Sequence, residues 1–510
     1  MKNKNKVKLL TTATLLTTFL INTGIQSSNQ IENNTAQAAT NKKKIKPSGQ
    51  KPKGKLGKKM DTPPSGKKPS GKPGQKPNGK SGKGGPNTQS YDYKGTLKAS
   101  LNVKSGTTKV GKKTITNNKT DQNVALVQKN GKLSLDGTKL KKTGNSKNDD
   151  NANFYGLDSI LLANGKNATL TSKATGANGI FATNKGTVNV SNTKIKTTGK
   201  ANSRGLDTTY GGKINANKVK ISTKGDHSAA VATDRGGGTV TVKNAKVTTK
   251  GTGSPLAYST GTINFNNVTG TASGSQIAGM EGYNKISLVN SDLTSTNNKI
   301  SGSDPIKNGV IIYQSTSGDA ETSSSKSADF QAKDSTLKTA ITSGAMFYVT
   351  NTTGKITLEN TKLNFNNSKV DLLNVAGNNS NGWGTKGKNG GHVTLTAKNQ
   401  TLKGNIVVDS ISSANVKLTD DSTYTGKTSI VANKYATSSS KSKTPLTISV
   451  GSNSKWIVTG NSTVTNLNLA DGSEIVDSQG NKVTIIANGK TVQKGTSSYA
   501  VTVKGSFTTN

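Results

Sequence analysis

The chain has 510 residues, of which 29% are hydrophobic and 4% aromatic, with 57 glycines and a formal charge of +44. So thin an apolar content excludes several compact domains, while regular strand-like patterning excludes wholesale disorder. Cysteine is absent, which rules out disulfides and thiolate metal sites, and the two histidines, His227 and His392, leave little for a histidine-based centre; no metal or cofactor is expected.

Residues 1–38 read as a secretory signal. Lys2, Lys4, Lys6 and Lys8 form its charged end, residues 9–21 its apolar stretch, and Ala36-Gln37-Ala38 its cleavage site. The apolar stretch is shorter than the about 20 residues that span a bilayer. This extended layout points to export by a Gram-positive bacterium. With no Leu-Pro-x-Thr-Gly signal, retention at the cell wall or in the extracellular matrix is expected to be non-covalent.

Residues 39–90 follow as a linker of Lys, Pro and Gly without apolar periodicity, expected to be disordered because it cannot bury enough surface to offset its ordering entropy. Between residues 41 and 88, 15 lysines face the single Asp61. Lys42, Lys43, Lys44 and Lys46 open this basic arm, and Lys51, Lys53, Lys55, Lys58 and Lys59 continue it. Lys67, Lys68, Lys72, Lys76 and Lys80 complete the candidate polyanion-binding set. A charge of +27 remains on the body of the chain, almost all of it from lysine. Both parts should attract polyanions with salt-dependent affinity.

From Tyr91 to residue 445 the spacing predicts a right-handed parallel β-helix with three short strands per coil and 21–26 residues per coil. One apolar column is Ile180, Leu206, Ala230, Leu256 and Ile277. A second is Val188, Ile214, Val240, Ile263 and Ile286. A third is Ile195, Ile221, Val247 and Leu293, with Gly270 as a weak spot. Gly199, Gly225 and Gly251 each follow the third column by four residues. Alternation turns one set of side chains inward, and coils stacked about 4.8 Å apart would join them into one core. Threonines 183, 209 and 233 are expected to form a hydrogen-bonded ladder. Polar loops are expected to leave the stack near 318–327 and 378–391. Residues 446–510, with the regular stretch 456–464, read as a C-terminal β cap over an otherwise exposed edge.

The coils from about Tyr155 to Leu293 resemble the pectin-lyase-like surface proteins of bacteria. The stretch Trp456–Val464 is similar to the end of pertactin-type autotransporter passengers, although no membrane-barrel segment follows it. The resemblance implies an adhesin or aggregation factor.

Some β-helices cut acidic glycans, and the candidate catalytic residues here are Asp207, Asp234 and Glu281, with Arg204, Arg235 and His227 nearby. The column alignment puts Asp207 and Asp234 roughly 11 Å apart, beyond the about 5–9.5 Å that glycosidic cleavage needs. Trp383, beside His392 in sequence, is a candidate for stacking on a sugar ring. The reading favoured is a secreted adhesin or matrix-type binding protein that docks to wall teichoic acid or acidic polysaccharide. Extracellular DNA is a further, non-specific ligand through charge alone. A polysaccharide lyase or glycoside hydrolase acting on acidic glycans is the alternative.

Overall fold

The computed structural model describes residues 89–509, apart from 129–130, 163, 167–168, 316, 318, 321–325 and 381–382. The expected signal segment and the lysines of the expected basic arm lie outside the described residues. Within them the chain is a parallel β-helix. A 13-stranded sheet takes one strand from each successive coil, from Ala99–Val103 to Thr428–Val431. A 23-stranded sheet holds the second and third strands of most coils. Later third strands, from Thr401–Lys403 to Glu474–Asp477, form a separate four-stranded sheet.

The second column stacks rung on rung as Val188, Ile214, Val240, Ile263 and Ile286, and it continues through Phe330, Ile356 and Leu395. The third column stacks as Ile195, Ile221, Val247, Gly270 and Leu293. These aliphatic side chains are buried in one continuous core, and each contributes roughly 1.5–3 kcal/mol by leaving water. Gly270 leaves no hole. A Cβ there would stand 2.7 Å from a Leu256 methyl and 2.9 Å from one of Val247, so the neighbours already fill its place. Gly251 is required for another reason: its Cβ would meet the Gly225 carbonyl oxygen at 1.8 Å, so adjacent coils touch backbone to backbone at this turn.

The first column departs from expectation by one residue. Ile180 and Leu206 are partners, but Leu206 pairs with Val231, Val231 with Ala257, and Ala257 with Ala278, giving spacings of 26, 25, 26 and 21 residues. Ala230, Leu256 and Ile277 precede the strand at the corner, where they too point into the core. Strands buried on both faces, such as Ile180–Ala182, lack the polar alternation that fixes register. The threonine ladder shifts with it. Thr209 Oγ1 donates to Thr183 Oγ1 at 2.8 Å, but Thr233 lies on Thr208. The spacing widens to 32 residues between Ala278 and Val310 and to 37 between Val310 and Phe347, where loops leave the stack.

Parallel pairing passes through Leu446 without a break, since Leu446–Val450 lies on Ser413–Thr419. Trp456 is fully buried, stacks on Tyr424 at 5.8 Å and donates from Nε1 to the Gly426 carbonyl at 2.9 Å. Antiparallel strand pairing appears further on, between Thr484–Ala487 and Lys490–Gln493, in a hairpin beside Ala500–Val503.

One ion pair sits inside the stack. Lys142 Nζ lies 3.2 Å from Asp158 and donates to the carbonyls of Lys119 and Gly144 at 2.7 and 2.6 Å, with both side chains fully buried. Burial drives the lysine pKa down and pushes Asp158 up to about 7, against their mutual attraction. Lys142→Met strands a buried carboxylate, and a loss of about 3–5 kcal/mol is expected in urea unfolding. Lys142→Met with Asp158→Leu should recover most of it. Equal losses in the single and double variants would contradict this account.

Candidate functional site

The turns before Leu206, Val231 and Ala257 each hold a buried serine. Ser203 N–H donates to Ser228 Oγ, and Ser228 N–H to Ser254 Oγ, both at 2.9 Å. This ladder fixes the point from which Arg204 leaves the backbone. Its Nη1 donates to Asn153 Oδ1 at 2.6 Å and to Asp207 Oδ2 at 3.3 Å, while Nη2 donates to Asp234 Oδ2 at 2.9 Å. One guanidinium thus joins a helix and two coils.

That helix, Asp149–Tyr155, is missing from the sequence reading. Asn148 caps it by accepting from the Asn151 N–H, and Asp149 and Asp150 lie in its first turn, where the helix dipole favours negative charge. Gly156 ends it at φ 76°, and a Cβ there would stand 2.4 Å from the Phe181 ring. A short polar helix of this kind has too few apolar positions to be read from periodicity.

The outer face of the 13-stranded sheet runs in register through Phe181, Asp207, Ala232, Tyr258, Gly279, Ile311 and Tyr348. The helix covers the Phe181 end. The loop bearing Trp383 covers Ile311 and Tyr348, with the Trp383 ring stacked on Tyr313 at 4.3 Å and 14°. A cleft of about 390 Å³ remains between these covers.

The cleft brings together five residues singled out from sequence: Arg204, His227, Asp234, Arg235 and Trp383. Two others stand behind it. Asp207 is fully buried under Arg204. Glu281 accepts from Tyr258 Oη at 2.9 Å, and from Ser315. The expected separation of roughly 11 Å between Asp207 and Asp234 is corrected by the register: Asp207 lies opposite Ala232, so Asp234 is two residues along, not three. Both carboxylates consequently reach the same guanidinium. Trp383 gives one face to Tyr313 and is 5% exposed, so it walls the cleft rather than offering an open platform. His227 sits in a turn at φ 49°. His392 lies elsewhere, beside Ser413.

Two carboxylates sharing one arginine leave a negative charge in excess. Burial raises the pKa of both Asp207 and Asp234, with Arg204 opposing. Burial alone would lower Arg204, but the two carboxylates hold it above the usual arginine value. Burial, then the nearby Arg204 charge, lowers His227. Arg235 donates from Nε to Asp319 Oδ1 at 2.8 Å and lies 4.0 Å over the Phe154 ring.

Tyr258, Gln276, Asp304, Tyr313 and Asp319 also line the cleft and escaped the sequence reading. One signal was present. The chain's two arginines, among 70 basic residues, are Arg204 and Arg235, and both are here. The planar fork of arginine holds carboxylates in a way lysine does not.

A second surface carries lysine. On the outer face of the third strands, Lys194, Lys220 and Lys246 lie one above another, all exposed. With Lys218 they border a shallow groove that no carboxylate lines. Three lysines elsewhere meet an acid on the next rung: Lys285 with Asp329, Lys333 with Glu359, and Lys455 with Glu474. Like charges directly opposite in a sheet are destabilising, and three consecutive rungs carry that cost here.

No helix among the described residues is long and apolar enough to cross a membrane. No family model matches the chain, and no curated protein matches it.

Burial pushes Asp304 up to about 7, opposed by a 2.8 Å hydrogen bond from Asn308. A raised folded-state value means that the native state holds this proton more tightly than the unfolded chain does. The resulting stabilisation is complete below about pH 3.8 and is lost as the pH rises through about 7. The thermal unfolding midpoint of Asp304→Asn is expected to fall less steeply over that range than that of the parent protein. Parallel slopes would contradict the assignment.

Proposed function

We propose that the protein is a secreted adhesin or matrix-type protein that docks to anionic polymers through its lysine surfaces. The observation that carries this reading is the column Lys194, Lys220 and Lys246, stacked without an acid in its groove. Rungs about 4.8 Å apart present a charge row parallel to the stacking axis, suited to a polymer whose negative groups repeat along its length. Wall teichoic acid and acidic polysaccharide have this form. Extracellular DNA would be held by the same charges without sequence preference. The basic arm, residues 39–90, adds a second attachment of the same sign. Likeness of the coils to pectin-lyase-like surface proteins, and of residues 456–464 to pertactin-type passengers, supports display outside the cell. Retention there would be electrostatic.

The alternative, cleavage of acidic glycans in the cleft, meets an electrostatic obstacle. The cleft is lined by Asp149, Asp150, Asp234, Asp304 and Asp319 against two arginines, and both arginines are ion-paired. An acidic substrate would find no free cation there.

Replacing Lys194, Lys220 and Lys246 together by Gln touches no buried group, so folding should be unchanged. Co-sedimentation of the mature protein with isolated cell walls at low salt is expected to weaken by roughly tenfold, with a shallower dependence on salt. Removal of residues 39–90 should weaken it further. Failure of the parent protein to sediment with walls at low salt would end this reading.

A further inference from the structure

The cleft is electrostatically opposite to the rest of the body. Five aspartates line it, while none of the lysines among the described residues does, in a chain whose net charge is +44. Such a site is mismatched to the polyanions proposed for the lysine face, so it calls for a different ligand.

Three features define that ligand. Tyr258, Tyr313 and Trp383 supply apolar ring surface on the floor and one wall. Carboxylates and arginines flank it, anchored to one another so that their positions are fixed before anything binds. Gln276 is 6% exposed and lines the cleft; its Oε1 accepts from Ser275 Oγ at 2.6 Å, and its Nε2 has no acceptor among the described residues. A nine-tenths-buried amide donor left open to the cleft needs an acceptor from outside.

Ring surface beside carboxylates and an amide matches a sugar, whose C–H face packs on aromatics and whose hydroxyls donate to carboxylates and accept from the amide. A volume of about 390 Å³ falls within the about 300–1,000 Å³ of small-ligand sites. A peptide added as a strand is disfavoured, because the floor strands Ala257–Ser259 and Ala278–Glu281 are already paired on both sides.

We infer that this cleft is a second binding site, specific for a saccharide unit without negative charge, either a neutral sugar or an amino sugar. The protein would then join two kinds of polymer, an anionic one on the lysine face and an uncharged or cationic one in the cleft.

Gly279 offers a selective block. It lies on the floor in ordinary strand geometry, and a Cβ there would meet Gln276, Ile311 and Tyr258 at 3.5–3.7 Å, an unstrained fit. Gly279→Ala should therefore be tolerated, whereas Gly279→Leu should fill the cleft. Ser303, exposed at the rim, gives a second block that leaves the core untouched: Ser303→Trp.

The full mature protein would be titrated calorimetrically with cello-oligosaccharides, chito-oligosaccharides, chitosan oligomers and oligogalacturonate. At least one of the first three is expected to bind, with affinity reduced tenfold or more in Gly279→Leu and in Ser303→Trp. The Lys194/Lys220/Lys246→Gln variant should bind it as the parent does, and wall sedimentation should be unaffected by either block. Absence of binding to all three, binding that both blocking variants retain, or oligogalacturonate binding that the blocks abolish would each overturn the inference. Wall sedimentation is read separately, so its failure would bear on the lysine face alone.

Discussion

Everything in this molecule depends on backbone hydrogen bonding between consecutive coils, which places each residue directly over its counterpart one turn earlier. A coil alone could bury neither its apolar side chains nor its strand edges. Once coils stack, whatever stands at a given position is repeated along the axis. Aliphatic residues become the spine from Val188 to Leu395, Ser203 and Ser228 become a hydrogen-bonded ladder, and Lys194, Lys220 and Lys246 become a row of charge. One constraint thus produces the core, the turns and the proposed polymer-binding face.

The cleft arises where the repetition is interrupted. The outer face of the 13-stranded sheet would otherwise be a flat, exposed strip. The helix Asp149–Tyr155 and the loop around Trp383 each cover part of it, leaving Tyr258 and Gly279 open between them. Arg204 fastens the helix to two successive coils, so the cover on that side is fixed rather than loosely apposed. Negative charge gathers there although the chain is strongly basic. Burial raises the carboxyl pKa values of Asp207, Asp234 and Asp304.

How much of this was legible in the sequence follows from the physics of each position. The second and third columns alternate buried with exposed residues, as in Thr187–Ser191 and Lys194–Thr197, and such alternation fixes the parity of a strand. The first-column strands are buried on both faces. There the large side chains of Leu256 and Ile277 drew the alignment one residue early, to the corner. The same slip misplaced Asp234 relative to Asp207. The site residues were individually conspicuous as rare charges, but their convergence was not readable, because Asp149–Phe154, Asp304, Asp319 and Trp383 reach the cleft from insertions outside the repeat. The restriction of arginine to positions 204 and 235 was the one compositional mark of the site.

The stacking register can be measured directly, because the chain contains no cysteine. Asn215 and Thr241 are register partners on the outer face of the second strands, while Lys243 lies two residues beyond. Partners about 4.8 Å apart fall within the roughly 4.4–6.8 Å Cα separation that a disulfide spans. Asn215→Cys with Thr241→Cys should oxidise to an intramolecular disulfide in the folded protein, and Asn215→Cys with Lys243→Cys should remain reduced. Equal oxidation of the two pairs, or oxidation of the second alone, would mean that the coils do not lie over one another as described.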